Sequence, residues 1–173
     1  MSVFLADATA IMALVDCVDP DNRNDLFEAL TERVEDGDLR FPSAVVKDLK
    51  VRARFEQVTS WVTGLGPTLR RYTAEVAEIS WLMRQLQLEL GYSHGVSDMD
   101  GKEPSIIAVA SYARSLEEEN VDFVMATEDL GSIPLRPTME ELCHTFSWER
   151  CTGSELLDGL DLGDLRQIGD FTR

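Results

Sequence analysis

Val3-Phe4-Leu5-Ala6-Asp7 is the stretch that decides the expected fold of this chain. Four apolar residues followed by a carboxylate are typical of a short strand buried on both faces of a parallel sheet. Two later runs, Leu39–Phe41 and Val121–Ala126, have a similar character and are separated from it by helical patterns. This alternation predicts an α/β fold with helices on both faces of a short central parallel sheet.

Apolar residues at helical spacing occupy the segments between the strands. We predict helices over Ala8–Val15, over about Asp19–Val34 with Gly37 as its end, and directly after Pro42. A longer amphipathic helix is predicted over about Thr68–Leu90, and its apolar stripe is typical of a core or a dimer interface.

The remaining segments complete one domain. Pro104 suits the first turn of another helix, Met139–Thr145 predicts a further helix, and Trp148–Cys151 predicts a strand. A chain of 173 residues matches the usual size of one hydrophobic core. We therefore expect a single domain over residues 1–173, with the tail from 136 to 173 completing it.

The net charge is strongly negative, at −16, with 32 acidic and 16 basic residues. This balance argues against a histone-like or general nucleic-acid coat, because nonspecific phosphate binding needs surplus positive charge. Two interpretations stay open, a dedicated acidic function such as nucleic-acid mimicry and a halophilic surface adapted to concentrated salt. The acids are spread along the chain rather than collected in a tail, which favours the salt interpretation.

The sequence is typical of a cytoplasmic protein. No run approaches the roughly 18 apolar residues that a membrane helix needs, and no secretory leader is recognisable. Three cysteines without CxxC spacing are typical of reduced thiols. Because the chain has only two histidines, we expect any metal to be held by oxygen ligands.

Four acids lie at comparable junctions between strands and helices. Asp7 and Asp129 follow strands, whereas Asp48 and Glu103 lie near the starts of helices. Such junctions gather at the carboxyl edge of a parallel sheet, where carboxylates repel one another unless a divalent cation neutralises them. Mg²⁺ or Mn²⁺ suits such a set and activates water for attack on a phosphoryl group. The alternative is that these acids only cap helices.

The same four segments resemble the sequence motifs of the PIN domain family. They are Val3–Thr9, Phe41–Leu49, Glu103–Ala110 and Val124–Asp129, in family order over about residues 2–135. The resemblance implies a PIN-like three-layer α/β/α fold and a metal-dependent endoribonuclease. Many stand-alone members of this size are VapC-like toxins of toxin–antitoxin pairs, so it also implies a small antitoxin protein as partner.

The resemblance also implies roles for individual residues. Asp7, Asp48, Glu103 and Asp129 would hold one or two Mg²⁺ or Mn²⁺ ions, and a metal-bound water would attack the RNA phosphodiester. Thr9 matches a small polar residue that positions water or a ligand. The family more often has Glu where this chain has Asp48, and Asp where it has Glu103, which alters the reach of each carboxylate by one methylene.

All three lysines lie beside proposed site acids. Lys47 and Lys50 flank Asp48, and Lys102 precedes Glu103. A basic patch next to a carboxylate pocket is suited to binding an RNA backbone, and we predict this role for the three lysines. A solvated helix face is the alternative interpretation.

Asp98 and Asp100, just before the third motif, are candidates for auxiliary metal ligands or for helix caps. The predicted amphipathic helix and the resemblance together favour a homodimer. Two other functions stay open. One is a catalytically weak or inactive PIN-like module that binds a partner protein. The other is a receiver-type phosphoryl acceptor, which is disfavoured because no lysine follows the third strand.

Overall fold

Four short parallel strands form the centre of the computed structural model, which describes residues 3–92 and 105–166. They are β1 (Val3–Ala6), β2 (Leu39–Arg40), β3 (Phe123–Ala126) and β4 (Arg150–Cys151). Within the described residues the sheet order is β2-β1-β3-β4 and every pairing is parallel. The predicted α/β class with a short parallel sheet is therefore confirmed, and the arrangement is compatible with three α/β/α layers.

Helices connect and cover these strands. They are α1 (Ala8–Asp16), α2 (Arg23–Asp36), α3 (Ala44–Arg52), α4 (Glu56–Gly64), α5 (Gly66–Leu69), α6 (Val76–Glu89), α7 (Ile106–Glu118), α8 (Met139–Phe146) and α9 (Gly153–Gly159). Two single 3₁₀ turns, Pro20–Asn22 and Gly163–Leu165, precede α2 and follow α9. Gly37 ends α2 in the left-handed conformation, as its position in the sequence predicts.

Strand β1 lies inside the sheet because its side chains are apolar on both faces of the strand. Leu5 and Ala6 are fully buried, and β1 pairs with β2 on one side and with β3 on the other. The ladder continues past the strand end, where the amide of Asp7 donates to the carbonyl of Ala126 at 3.2 Å. Asp7 therefore emerges at the centre of the carboxyl edge.

The tail belongs to the same sheet. Strand β4 pairs with β3, and beyond it the amide of Thr127 donates to the carbonyl of Cys151 at 3.0 Å. Helix α9, which the sequence patterns do not predict, begins at Gly153 and packs on α1. Its capping box, formed by Thr152 and Glu155, starts the helix directly after the strand.

The single long helix predicted over about Thr68–Leu90 is wrong. The structure ends α5 at Leu69 and begins α6 at Val76. The chain turns between them because Tyr72 is buried and its hydroxyl donates to the carbonyl of Val34 at 2.5 Å. This tertiary contact outweighs a helical propensity that continues through the segment.

Two further observations bear on the sequence-based expectations. In residues 3–92 and 105–166, no helix combines the length and apolarity needed to cross a bilayer. Cys17, Cys143 and Cys151 are free thiols. Burial raises the pKa of Cys143 and of Cys151 to about 12, so both thiols are protonated at neutral pH.

Replacing Gly153 with Ala is expected to destabilise the protein. An added Cβ would lie 2.6 Å from the carbonyl oxygen of Ala10 and 2.8 Å from the amide nitrogen of Leu14. The backbone of α9 or α1 must then shift, at a cost of about 1–3 kcal/mol. Urea unfolding in concentrated KCl measures this change. Gly64→Ala is the matched control, because a Cβ there meets no neighbouring heavy atom within 4 Å. Equal stability of the two variants would contradict tight docking of α9 on α1.

Candidate functional site

A small pocket lies beyond the carboxyl ends of β1 and β3. Its lining residues come from α1, α3, the start of α7 and the segment after β3: Asp7, Ala8, Thr9, Asp48, Arg52, Ser105, Ile106, Asp129 and Arg136. We name it the carboxyl-edge pocket. Its volume of about 10 Å³ is close to the space that one water molecule occupies. Three of the four acids predicted from the sequence share this pocket.

Asp7 is bound by hydrogen bonds on both carboxylate oxygens. Oδ1 accepts from the amides of Thr9 and Ala10, at 2.9 and 3.0 Å, and from the Thr9 hydroxyl at 2.6 Å. Oδ2 accepts from the Thr127 hydroxyl at 2.5 Å. Asp7 is therefore the N-cap of α1 as well as a pocket residue, and its exposed fraction is only 1%.

The environment of Asp7 opposes its ionisation. Burial raises the pKa of this carboxyl, and the negative charge of Asp129 raises it further. Hydrogen bonds from Thr127, Thr9 and the amide of Ala10 lower the pKa without cancelling the effect of burial. A cation in the pocket would offset the cost of ionising Asp7.

Two threonine hydroxyls connect Asp7 to the end of β3. Thr9 Oγ1 donates to Asp7 and accepts from the amide of Glu128 at 2.8 Å. Thr127 Oγ1 donates to Asp7 and accepts from the amide of Asp129 at 3.0 Å. Thr127 is not among the predicted site residues, although it lies within the fourth motif, Val124–Asp129. The predicted role of Thr9 in positioning water or a ligand stays a prediction.

Asp48 reaches the pocket from α3 and is half-buried. Its Oδ2 accepts from the amide of Ser105, the N-cap of α7, at 3.3 Å. Lys47 and Lys50 lie on the same helix with exposed side chains. Asp48 therefore joins α3 to the start of α7, at a residue within the third motif.

Four residues predicted for the site lie outside the described ranges. They are Asp98, Asp100, Lys102 and Glu103. Their proposed roles as auxiliary ligands, substrate-binding base and third acid stay predictions.

Asp129 is held by a buried arginine that the sequence analysis did not single out. Arg136 Nη1 donates to Asp129 Oδ2 at 2.7 Å, and Nη2 donates to Oδ1 at 3.1 Å. The amide of Met139 donates to Oδ2 at 2.9 Å. The sequence signal was weak, since Arg136 is one of 16 basic residues and lies among apolar and proline residues.

Two acids of the pocket, Asp7 and Asp48, supply carboxylate oxygens, the ligand type that a hard divalent cation prefers. In the described part of the chain, no group of three or more acids, histidines or cysteines is arranged to hold a metal ion. Mg²⁺, however, commonly binds through one or two carboxylates and keeps several waters. From the described residues, Asp7 Oδ2 and Asp48 Oδ2 each accept one hydrogen bond, and a carboxylate oxygen has a second lone pair that a cation can use. The Asp129 carboxylate is already engaged by Arg136.

Comparison with models of known families, with curated proteins and with solved structures finds no match to this chain. The resemblance to PIN domains therefore stays a prediction made from motifs. The geometry of the carboxyl-edge pocket is the main observation from which a function can be inferred.

Replacing Asp7 with Asn is expected to stabilise the metal-free protein at neutral pH. Because the pKa of Asp7 is raised in the folded state, wild-type stability falls as the pH rises from the usual value of 3.8 through the folded pKa. Asn removes the buried charge and is an equally good N-cap. Urea unfolding with EDTA should show a gain in unfolding free energy at pH 7 that shrinks towards pH 4.

The same substitution at Asp129 is expected to act in the opposite direction. Asp129→Asn withdraws the bidentate carboxylate from a buried guanidinium, which should lower the unfolding free energy by about 3 kcal/mol. The two variants remove the same charge from one pocket and serve as controls for each other. If both variants changed the unfolding free energy at pH 7 in the same direction, the result would contradict the different environments described for the two acids.

Proposed function

We propose that this chain is a metal-dependent endoribonuclease with a PIN-like architecture. The observation that carries the proposal is the convergence of Asp7, Asp48 and Asp129 on one pocket at the carboxyl edge of a parallel sheet. Ligand sites in open α/β sheets lie at this edge. The raised pKa of Asp7 adds a reason for a cation to bind there.

Asp7 and Asp48 would hold the ion through their carboxylates, and the motif resemblance adds Glu103 and Asp129 to the set, with Asp98 and Asp100 as auxiliary ligands. When bound, Mg²⁺ or Mn²⁺ supplies an acidic water and positive charge for the reacting phosphodiester. Thr9 and Thr127 orient Asp7 by hydrogen bonds to its two oxygens. This fixed orientation leaves the free lone pair of Oδ2 as the point at which Asp7 can bind the ion.

Basic side chains near the pocket would bind the RNA backbone. Lys47 and Lys50 are three positions apart on α3 and exposed, and Arg52 on the same helix lines the pocket. Residues three apart on a helix are neighbours on its surface. Together they place positive charge beside the acids of a protein whose net charge is −16, and Lys102 is proposed to extend this patch.

Membership of a toxin–antitoxin pair and homodimerisation belong to the same proposal. Helix α6 exposes apolar side chains, with Val76 at 77%, Ile79 at 38% and Leu88 at 70% of their full accessible area. Val76 and Ile79, three positions apart, are neighbours on the helix surface and are proposed to contribute to an interface with a second copy of the chain. A small antitoxin protein is proposed as the natural inhibitor.

The second candidate function is a PIN-like module without catalytic activity that binds a partner protein. One specific observation favours it, namely that Asp129 is already neutralised by Arg136. A pocket whose acids are satisfied within the chain has less need of a metal ion. Metal-dependent cleavage separates the two candidates.

RNA cleavage with Mn²⁺ or Mg²⁺ in concentrated KCl is the test of the proposed activity. We expect Asp7→Asn and Asp48→Asn to lower the cleavage rate at least about 100-fold, since removing one charge-stabilising group commonly has this effect. Asp16→Asn, at the opposite end of α1 from Asp7, is the control and should cleave at the wild-type rate. Cleavage by both site variants at the wild-type rate would indicate a contaminant and reject the proposal.

Charge reversal on α3 tests the substrate patch. The double variant Lys47→Glu/Lys50→Glu should bind single-stranded RNA more weakly. The slope of the logarithm of the binding constant against the logarithm of the salt concentration should become less negative by about 1 or more. Binding is measured by fluorescence anisotropy over a KCl series, in an Asp7→Asn background that prevents cleavage. Arg70→Glu, an exposed change on another part of the surface, is the control. If the double variant showed the same salt dependence of RNA binding as the parent, Lys47 and Lys50 would not belong to the RNA-binding surface.

A further inference from the structure

Arg136 lies in the carboxyl-edge pocket, and the reaction proposed above assigns it no role. It forms two parallel hydrogen bonds to Asp129, and the two side chains are exposed by only 6% and 9%. Nη1 also donates to the carbonyl of Pro137 at 3.0 Å. The guanidinium is therefore fixed both by its partner acid and by the backbone that follows it.

The Asp129 carboxylate has little capacity left for a metal ion. A carboxylate offers about four lone-pair positions, two on each oxygen. Oδ2 already accepts from Arg136 and from the amide of Met139, and Oδ1 accepts from Arg136. One lone-pair position is left on Oδ1 by these bonds, so a cation that bound both oxygens of Asp129 would have to displace the guanidinium.

Repulsion between like charges is a second reason for competition between a metal ion and Arg136. Thr127 joins the two acids, since its hydroxyl donates to Asp7 and accepts from the amide of Asp129. A divalent ion bound by Asp7 would therefore lie close to the Arg136 guanidinium, in a buried environment. Like charges repel more strongly there than in water, so the ion and the paired guanidinium disfavour each other.

We propose that Arg136 is a positioning residue that holds Asp129 while the pocket lacks a metal ion and thereby lowers the affinity of the pocket for divalent cations. Binding of the ion to Asp129 exchanges one counter-charge for another, and the free energy of the broken ion pair is subtracted from that of metal binding. This inference rests on the proposed function, since it concerns the same metal site. On this proposal, the Arg136 side chain determines how tightly the pocket binds a divalent cation.

The test compares Mn²⁺ binding by calorimetry in wild type, Arg136→Met and Arg136→Lys. Arg136→Met removes the competing charge while keeping a long side chain, and we expect it to bind Mn²⁺ at least about tenfold more tightly than wild type. Arg136→Lys keeps the charge and loses the bidentate fork, so its affinity should fall between the two. The Lys variant also covers the case in which the Met variant does not fold.

Thermal unfolding gives a readout that does not depend on activity. Without metal, Arg136→Met should melt below wild type, because the Asp129 charge is then buried without its guanidinium. Added Mn²⁺ should raise its Tm by more than it raises that of wild type. Arg70→Met, which removes the same charge from an exposed residue that does not line the pocket, is the control and should change Mn²⁺ affinity by less than about threefold.

The outcomes separate this inference from the function on which it rests. If wild type binds Mn²⁺, Asp7→Asn abolishes binding, and Arg136→Met binds no more tightly than wild type, Arg136 is only a structural partner and the inference is overturned. If neither wild type nor Arg136→Met binds Mn²⁺ saturably, both the inference and the proposed metal-dependent activity fail.

Discussion

The buried carboxyl group of Asp7 is the point at which the central elements of this structure meet. Its backbone amide extends the sheet towards β3, its Oδ1 caps α1, and its Oδ2 accepts from Thr127 after β3. Because β1 lies between β2 and β3, these contacts fix the middle of the carboxyl edge. The same contacts bury the carboxyl group of Asp7, and this burial raises its pKa.

Two acids of the pocket, Asp129 and Asp7, are both buried but are stabilised by different partners. Asp129 has a full counter-charge from Arg136, whereas Asp7 has hydrogen bonds from two threonines and two backbone amides, and its pKa is raised by burial. The first arrangement is stable without any added group. The second arrangement disfavours the charged form of Asp7, and ionisable groups with a pKa perturbed in this way are frequent at functional sites.

Local patterns were sufficient to predict the elements that position the site. The apolar runs before Asp7 and Asp129 predict strands β1 and β3, and parallel strands necessarily bring their carboxyl ends to one edge. The break between α5 and α6 was not predictable, because it depends on the distant contact between Tyr72 and Val34. Arg136 was missed for a similar reason, since no local pattern distinguishes a basic residue that folds back onto Asp129. Glu103 lies outside the described residues and stays a prediction.

The central claim is that the carboxyl-edge pocket binds a divalent cation through Asp7 and Asp48. The most direct test is a crystal of this protein soaked in Mn²⁺ and measured for anomalous scattering. The account predicts an anomalous peak in the pocket at about 2.0–2.2 Å from a carboxylate oxygen of each acid, the range expected for small hard divalent cations. A well-ordered pocket without a peak at saturating Mn²⁺, with the Asp129–Arg136 pair intact, would contradict it.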